Sequence, residues 1–152
     1  MTPLKERLTE SESAYLAGLF DGEGCVGYYK RQGNRNKYSY VSVVMIAQSD
    51  LRLMLWLESK IGFGTVTSRA GKKHFEYHWS TNKRQHVKEF LEVIQPYLIL
   101  KKDQVDTLLM HIEQEGVEPL RRGMVTPDVL LKRENVYQRL RQLKVSNLLS
   151  IH

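Results

Sequence analysis

Leu16-Ala17-Gly18-Leu19-Phe20-Asp21-Gly22-Glu23-Gly24 joins a predicted helix to an acidic, glycine-rich turn and then to a predicted strand. Upstream, Thr9 with Glu12 makes a capping-box pattern, with Ser11 as the alternative cap, for a helix carrying Tyr15, Leu16, Leu19 and Phe20. Ala14, Gly18 and Gly22 recur every four residues, so they share one helix face and leave a stripe almost without side chains. Such a stripe lets a second backbone come close. Glycine inside a helix costs about 1 kcal/mol relative to alanine, so two of them need a packing or functional reason. Asp21 and Glu23 fall at the helix C-terminus, where the dipole disfavours a carboxylate and a cation is the natural remedy. The alternative is a solvated turn after a glycine-terminated helix.

The chain of 152 residues is long enough for one well-packed domain and too short for two ordinary ones, so residues 1–152 are expected to share a single core. Its 23 Lys and Arg against 17 Asp and Glu give a formal charge of +6, which favours a polyanionic partner such as nucleic acid. The single cysteine, Cys25, excludes an intramolecular disulfide framework and a Cys-based zinc finger and fits a reducing compartment. No base is assignable to it as a nucleophile, and His74, His78, His86 and His111 have no zinc-site spacing. With no apolar run of transmembrane length and no hydrophobic signal segment, the protein is expected to be soluble and intracellular, with no membrane partner.

After the glycine turn, Cys25 to Lys30 and Lys37 to Ala47 read as two strands around a polar, basic turn at Arg31 to Asn36. Ser49 is the expected cap of a helix from Asp50 to about Ile61, with Leu51, Leu55, Trp56 and Leu57 toward the core and Gly62 as its stop. A second hairpin follows, Gly64 to Arg69 and Lys73 to Ser80, around Ala70-Gly71-Lys72. Its alternation puts Val66, Phe75, Tyr77 and Trp79 on the buried side and Thr65, Thr67, Arg69, Glu76 and His78 on the other. Helices are expected from about Lys83 to Gln95, with Val87, Phe90, Leu91 and Ile94 inward, and from about Lys101 to Glu115, with Val105, Leu108, Leu109 and Ile112 inward. Gly116 to Pro119 breaks the chain, and Thr126 with Pro127 starts a helix running from Val129 to about Val145.

The nonapeptide from Leu16 to Gly24 resembles the motif of the LAGLIDADG homing endonucleases, with Glu at the acidic eighth position, and it sits in that family's order of helix, two strands, helix, two strands, helix. The resemblance covers about residues 11–115 and implies an α+β fold, αββαββα, with a saddle-shaped antiparallel sheet; C-terminal helices at about 120–150 lie beyond it. It implies that Glu23 and the carbonyl of Gly22 hold a divalent metal, Mg2+ with Mn2+ or Ca2+ able to substitute. It also implies that Gln48 orders water near the scissile phosphate, that Arg52 belongs to the same solvent network, and that Lys101 stabilises charge on the phosphate. Mg2+ prefers such carboxylate and carbonyl oxygens together with water and phosphate. Without the motif, Gln48 reads as a strand-end polar residue, Arg52 as a solvated helix residue and Lys101 as a helix-start lysine.

Only one copy of the nonapeptide is present, so the resemblance implies a homodimer. Ala14, Ala17, Gly18, Asp21 and Gly22 are its expected interface, bringing two Glu23 residues together. A twofold protein should read a palindromic or pseudo-palindromic double-stranded DNA site, one half-site per subunit. Base and phosphate contacts are expected from Tyr29, Arg31, Arg35 and Lys37 in the first hairpin and from Thr65, Thr67, Arg69, Glu76 and His78 in the second, with Arg69 suited to guanine. If the second strand follows the family, Ser39, Val41, Val43 and Met45 also face DNA, three of them apolar and then set to contact thymine methyl groups; the alternative is a register one residue off. The expected activity is a metal-dependent double-strand break of the intron-homing type. The alternatives are a catalytically inactive DNA-binding regulator, an RNA-splicing maturase of the same fold, or a basic α+β domain whose turn at Gly22 to Gly24 is structural.

Overall fold

A computed structural model describes residues 2–70, 75–121 and 123–149. The chain folds as α1 (Leu4–Arg7), α2 (Glu10–Glu23), β1 (Gly24–Gln32), β2 (Tyr38–Gln48), α3 (Leu51–Ile61), β3 (Thr65–Ala70), β4 (Phe75–Thr81), α4 (Arg84–Ile94), α5 (Lys102–Glu115) and α6 (Pro127–Leu149). It is an α+β protein whose one antiparallel sheet has the order β1-β2-β4-β3. The expected turn at Gly71-Lys72 and the strand start at Lys73 lie outside the described residues.

α2 begins with the capping box read in the sequence. Thr9 Oγ1 accepts from the Glu12 N–H at 3.1 Å, and Glu12 Oε1 accepts from the Thr9 N–H at 2.9 Å. The helix then passes into β1 without a loop, since α2 ends at Glu23 and β1 starts at Gly24. A Cβ on Gly24 would stand 2.3 Å from the Phe20 ring, so the abrupt exit needs glycine. The first strand therefore starts earlier and ends later than expected, at Gln32, and the turn is correspondingly shorter. At its tip Arg35 takes a left-handed φ of 63°.

The strand pairing settles the faces. Gly27 pairs with Val43 and Tyr29 with Val41, while Ile46 pairs with Trp79 and Trp79 with Val66. Val26, Tyr28, Ser42, Val44, Ile46, Trp79 and Thr81 are buried under the helices. Their odd-numbered neighbours in β2, Ser39, Val41, Val43 and Met45, stand on the open side, so the register is not displaced by one. Phe75 is on the helix side by alternation but is 62% exposed, against expectation, because it lies at the start of β4 beyond the reach of the helix layer.

Three helix details differ from the sequence reading. Asp50, not Ser49, caps α3: its carboxylate accepts from the Arg52 N–H at 2.9 Å, whereas the Ser49 N–H donates to Gln48 Oε1 at 2.7 Å. Met54, Leu57 and Ile61 form the buried stripe of α3, leaving Leu51 and Leu55 exposed. α6 is one helix of 23 residues, beginning at Pro127 with Thr126 Oγ1 accepting from the Val129 N–H at 3.3 Å. Gly62 stops α3 as expected, with a φ of 77°. The inward residues expected for α4 and α5 are all buried.

The core extends from Leu4 to Leu143. Arg7 anchors the N-terminal segment by donating to the carbonyls of Lys60 and Ile61 at 3.4 and 2.7 Å, at the end of α3. α6 is fastened to the sheet and to α5 by polar contacts. Glu134 accepts from Lys30 Nζ at 2.7 Å and from the Tyr40 hydroxyl at 2.9 Å. Glu115 receives Arg133 through two hydrogen bonds of 2.8 and 3.1 Å and Arg84 through one of 2.8 Å. Tyr28 Oη lies 3.0 Å from His111 Nε2 in the same interior region. No helix among the described residues is long and apolar enough to cross a membrane.

Candidate functional site

The last turn of α2 is fixed by contacts from the other end of the fold. Asp21 Oδ2 accepts from the Ile99 N–H at 2.8 Å, and Oδ1 accepts from the N–H groups of Leu100 and Lys101 at 3.2 and 3.0 Å. Lys101 returns the contact: its ammonium donates to the Asp21 carbonyl at 2.6 Å. That carbonyl belongs to the helix end, where carbonyls lack intrahelical partners and negative potential collects. The lysine charge is thus set against the end of α2 at Asp21, 80 residues away in the sequence.

Glu23 is exposed and forms no hydrogen bond or ion pair with the described residues. Gly22 beside it is exposed as well, and a Cβ on Gly22 would meet nothing within 4 Å. An unpaired carboxylate and a helix-end carbonyl are the donor types that suit a hard divalent cation such as Mg2+. Among the described residues no three His, Cys, Asp or Glu side chains converge as a metal cage. One chain therefore offers a partial coordination set, open toward solvent.

Gln48 and Arg52 stand apart from that pair in their contacts. They line an open cavity of about 680 Å³ between α2 and α3 with Ser11, Glu12, Tyr15, Asp50, Leu53 and Trp56. Gln48 Oε1 is taken by the Ser49 N–H and hydroxyl. Arg52 grips the Asp50 carboxylate, its closest contact 2.6 Å, and holds that carboxyl down to about 2 through the side-chain hydrogen bonds, helped by the backbone N–H of Arg52. The Asp50–Arg52 pair was not legible as a site feature; only the two-residue spacing at a helix start hinted at it. Tyr15 packs edge-on against Trp56 and leaves more than half of its surface exposed to the same cavity.

Along α2, Ala14, Gly18 and Gly22 are exposed on one face, and among the described residues nothing beyond the neighbouring turns of the helix lies within 4 Å of a Cβ built on Gly18. Ala17, expected with them, is wholly buried on the opposite side of the helix with Leu16 and Phe20, because position 17 falls outside the four-residue stripe. Asp21 is half-buried, and its carboxylate is engaged within the chain.

On the open side of the sheet, Tyr29, Arg31, Thr65, Thr67 and Arg69 are exposed and Glu76 and His78 half-buried. Arg35 and Lys37 are exposed at the hairpin tip. Arg69 pairs across the strands with Glu76, and Thr67 with His78. His78 Nε2 lies 3.4 Å from Glu76, while Nδ1 lies 3.1 Å from the Met45 sulfur. The result is a basic saddle rim with a few polar side chains and a partly apolar middle.

The sequence matches the family model described as LAGLIDADG endonuclease over residues 16–113. Comparison with curated protein sequences gives no match. Among solved structures, the homing endonuclease I-CvuI, crystallised with the I-CreI target and Mg, superimposes with a TM-score of 0.72 at 22% identity, covering 88% of this chain and 82% of that one. The homing endonuclease I-TnaI gives 0.67 at 19% identity over 95% and 99% of the two chains. The meganuclease I-SmaMI, bound to uncleaveable DNA, gives 0.66 at 18% identity over 83% of this chain and 43% of that one. A model match spanning the acidic turn, both hairpins and the lysine at residue 101, on a sheet and helix layer of the same architecture, places this chain in the LAGLIDADG endonuclease family.

Proposed function

We propose that the chain is a homing endonuclease that acts as a homodimer, one domain per subunit, and cuts both strands of a long palindromic or pseudo-palindromic DNA site in a divalent-metal-dependent reaction. The observation that carries this reading is the exposed Glu23, without a partner among the described residues, two positions after the Asp21 carbonyl that holds the Lys101 ammonium, at the end of a helix whose small-residue face is bare. Two such faces meeting across a twofold axis would set both Glu23 carboxylates together. Their mutual repulsion would be relieved by bound cation, so assembly and ion binding support each other. I-SmaMI supports the two-unit arrangement, since this chain accounts for less than half of its length. The DNA complexes of I-CvuI with Mg or Ca support the substrate and the ion.

Glu23 and the Gly22 carbonyl would hold Mg2+, with Mn2+ or Ca2+ able to take its place. When bound, the ion supplies charge neutralisation at the phosphate and lowers the pKa of water. Lys101 is held 2.6 Å from the Asp21 carbonyl, so its charge is already in position as negative charge grows on the phosphate. Gln48 would orient water through its carboxamide, and Arg52 would add positive potential to the same solvent network. Tyr29, Arg31, Arg35, Lys37, Thr65, Thr67, Arg69, Glu76 and His78 would read bases and phosphates from the open side of the sheet.

The test is Glu23→Gln on a site recovered from a randomised duplex library. We expect cleavage in Mg2+ to vanish while duplex binding in Ca2+ persists. Full cleavage by the variant would sink the assignment, and binding by the unaltered protein without any nicking would assign the chain to the binding-only class.

A further inference from the structure

We propose that β2 selects thymine by its methyl group: Val41, Val43 and Met45 form an apolar strip on the open side of the sheet that seats C5 methyls in the middle of each half-site. This rests on the DNA-cleaving reading above. The strip follows from the pairing. Val41 lies opposite Tyr29, Val43 opposite Gly27, and Met45 between Cys25 and Ser80. Gly27 has no side chain, and the Tyr29 ring leans over it, within 2.6 Å of where a Cβ would be, so an aromatic surface extends the strip sideways. Hydrogen-bonding side chains flank it at both ends. Arg31 pairs with Ser39 at one, and His78 and Thr67 pair at the other, beside Ala47.

From Val41 to Met45 the strand advances roughly 14 Å, the length of about four base pairs. Valine offers the major groove neither donor nor acceptor. Of the groups exposed there, only the thymine C5 methyl meets an apolar side chain without leaving a polar edge dehydrated and unpaired. The charge around the strip decides the occupant. Arg31, Arg35 and Lys37 at one end and Arg69 at the other suit a polyanion rather than an apolar protein surface, and the one acid among them, Glu76, faces Arg69 across the strands.

The experiment selects binding sites in Ca2+ from two randomised duplex pools, one made with thymine and one with uracil, which lacks only the methyl. The thymine pool is expected to enrich thymine, on either strand, at two or more neighbouring positions of each half-site. In the uracil pool that preference should fall about fourfold per methyl, while positions read by hydrogen bonds keep theirs. Val43→Gln should replace the thymine preference at one of these positions by adenine, without loss of fold, since its side chain is on the open side. Equal preferences in the two pools, or an unchanged profile for Val43→Gln, would overturn this inference and leave the nuclease reading standing. Failure to enrich any sequence from either pool would overturn both.

Discussion

Asp21 and Lys101 hold each other reciprocally: the carboxylate of the first accepts three backbone N–H groups from residues 99–101, and the ammonium of the second donates to the carbonyl of the first at 2.6 Å. The other carboxylate of the motif is therefore engaged within the chain, fixing residues 99–101 against the end of α2.

Asp21→Ala should leave three N–H groups without their acceptor and destabilise the protein by about 1–3 kcal/mol. Lys101→Met removes the charge and keeps that network, so its unfolding midpoint in urea should stay near that of the unaltered protein while cleavage falls on the order of 100-fold. Equal stability losses in the two variants would refute the division of labour.

Gly18→Leu separates folding from assembly. Beyond the neighbouring turns of α2, no described residue lies within 4 Å of a Cβ there, and leucine is a better helix former, so the isolated subunit should gain up to about 1 kcal/mol. Sedimentation should show the loss of the dimer proposed for the unaltered protein. A variant that remains dimeric would remove the small-residue face from the interface.

Glu115 pairs with the buried guanidinium of Arg133 and the half-buried one of Arg84. Glu115→Ala strands Arg133 and leaves Arg84 only the Gly116 carbonyl, and a loss of about 3–5 kcal/mol is expected. Because Arg133 belongs to α6, protease cutting within residues 127–149 should rise before the rest of the protein is attacked. Simultaneous loss of all elements would show that α6 does not open separately.

Stability should fall with acid. Burial lowers the His111 pKa from the ordinary 6.5, with Arg133 and Arg84 adding to the effect and Glu115 opposing it. A histidine depressed in the folded state contributes stability above pH 6.5, and that contribution is lost as pH drops through the folded value. Burial tends to raise the Glu115 pKa, but Arg133, His111 and Arg84 outweigh it and the result is lowered, so its contribution disappears at lower pH still, below 4.5. Urea midpoints measured from pH 7.5 down to 5.5 should decline, and His111→Gln should flatten that decline. A flat profile in the unaltered protein would contradict the sign.

Local chemistry made much of this fold legible. The Thr9–Glu12 box, the glycine exit at Gly24 and the inward stripes of α4 and α5 each depend on residues a few positions apart. α3 was harder, since Leu51, Leu55 and Leu57 are equally apolar and packing against the sheet chooses the Met54, Leu57 and Ile61 stripe. Alternation assigned Phe75 to the correct side without telling where the helix layer ends. At the candidate site, the motif singled out Glu23 and the wider resemblance Lys101, but the meeting of Lys101 with the end of α2 is seen only in the long-range bonds to Asp21. The Glu115, Arg133 and Arg84 cluster had no local signature, because its members come from three helices.

Strand β2 carries two interleaved messages in 11 residues. Ser42, Val44 and Ile46 are read by the protein itself, as interior, and Ser39, Val41, Val43 and Met45 by whatever lies outside. Each set can be respelled without rewriting the other, so the outward face of the strand can vary through every second codon while the interior stays as it is.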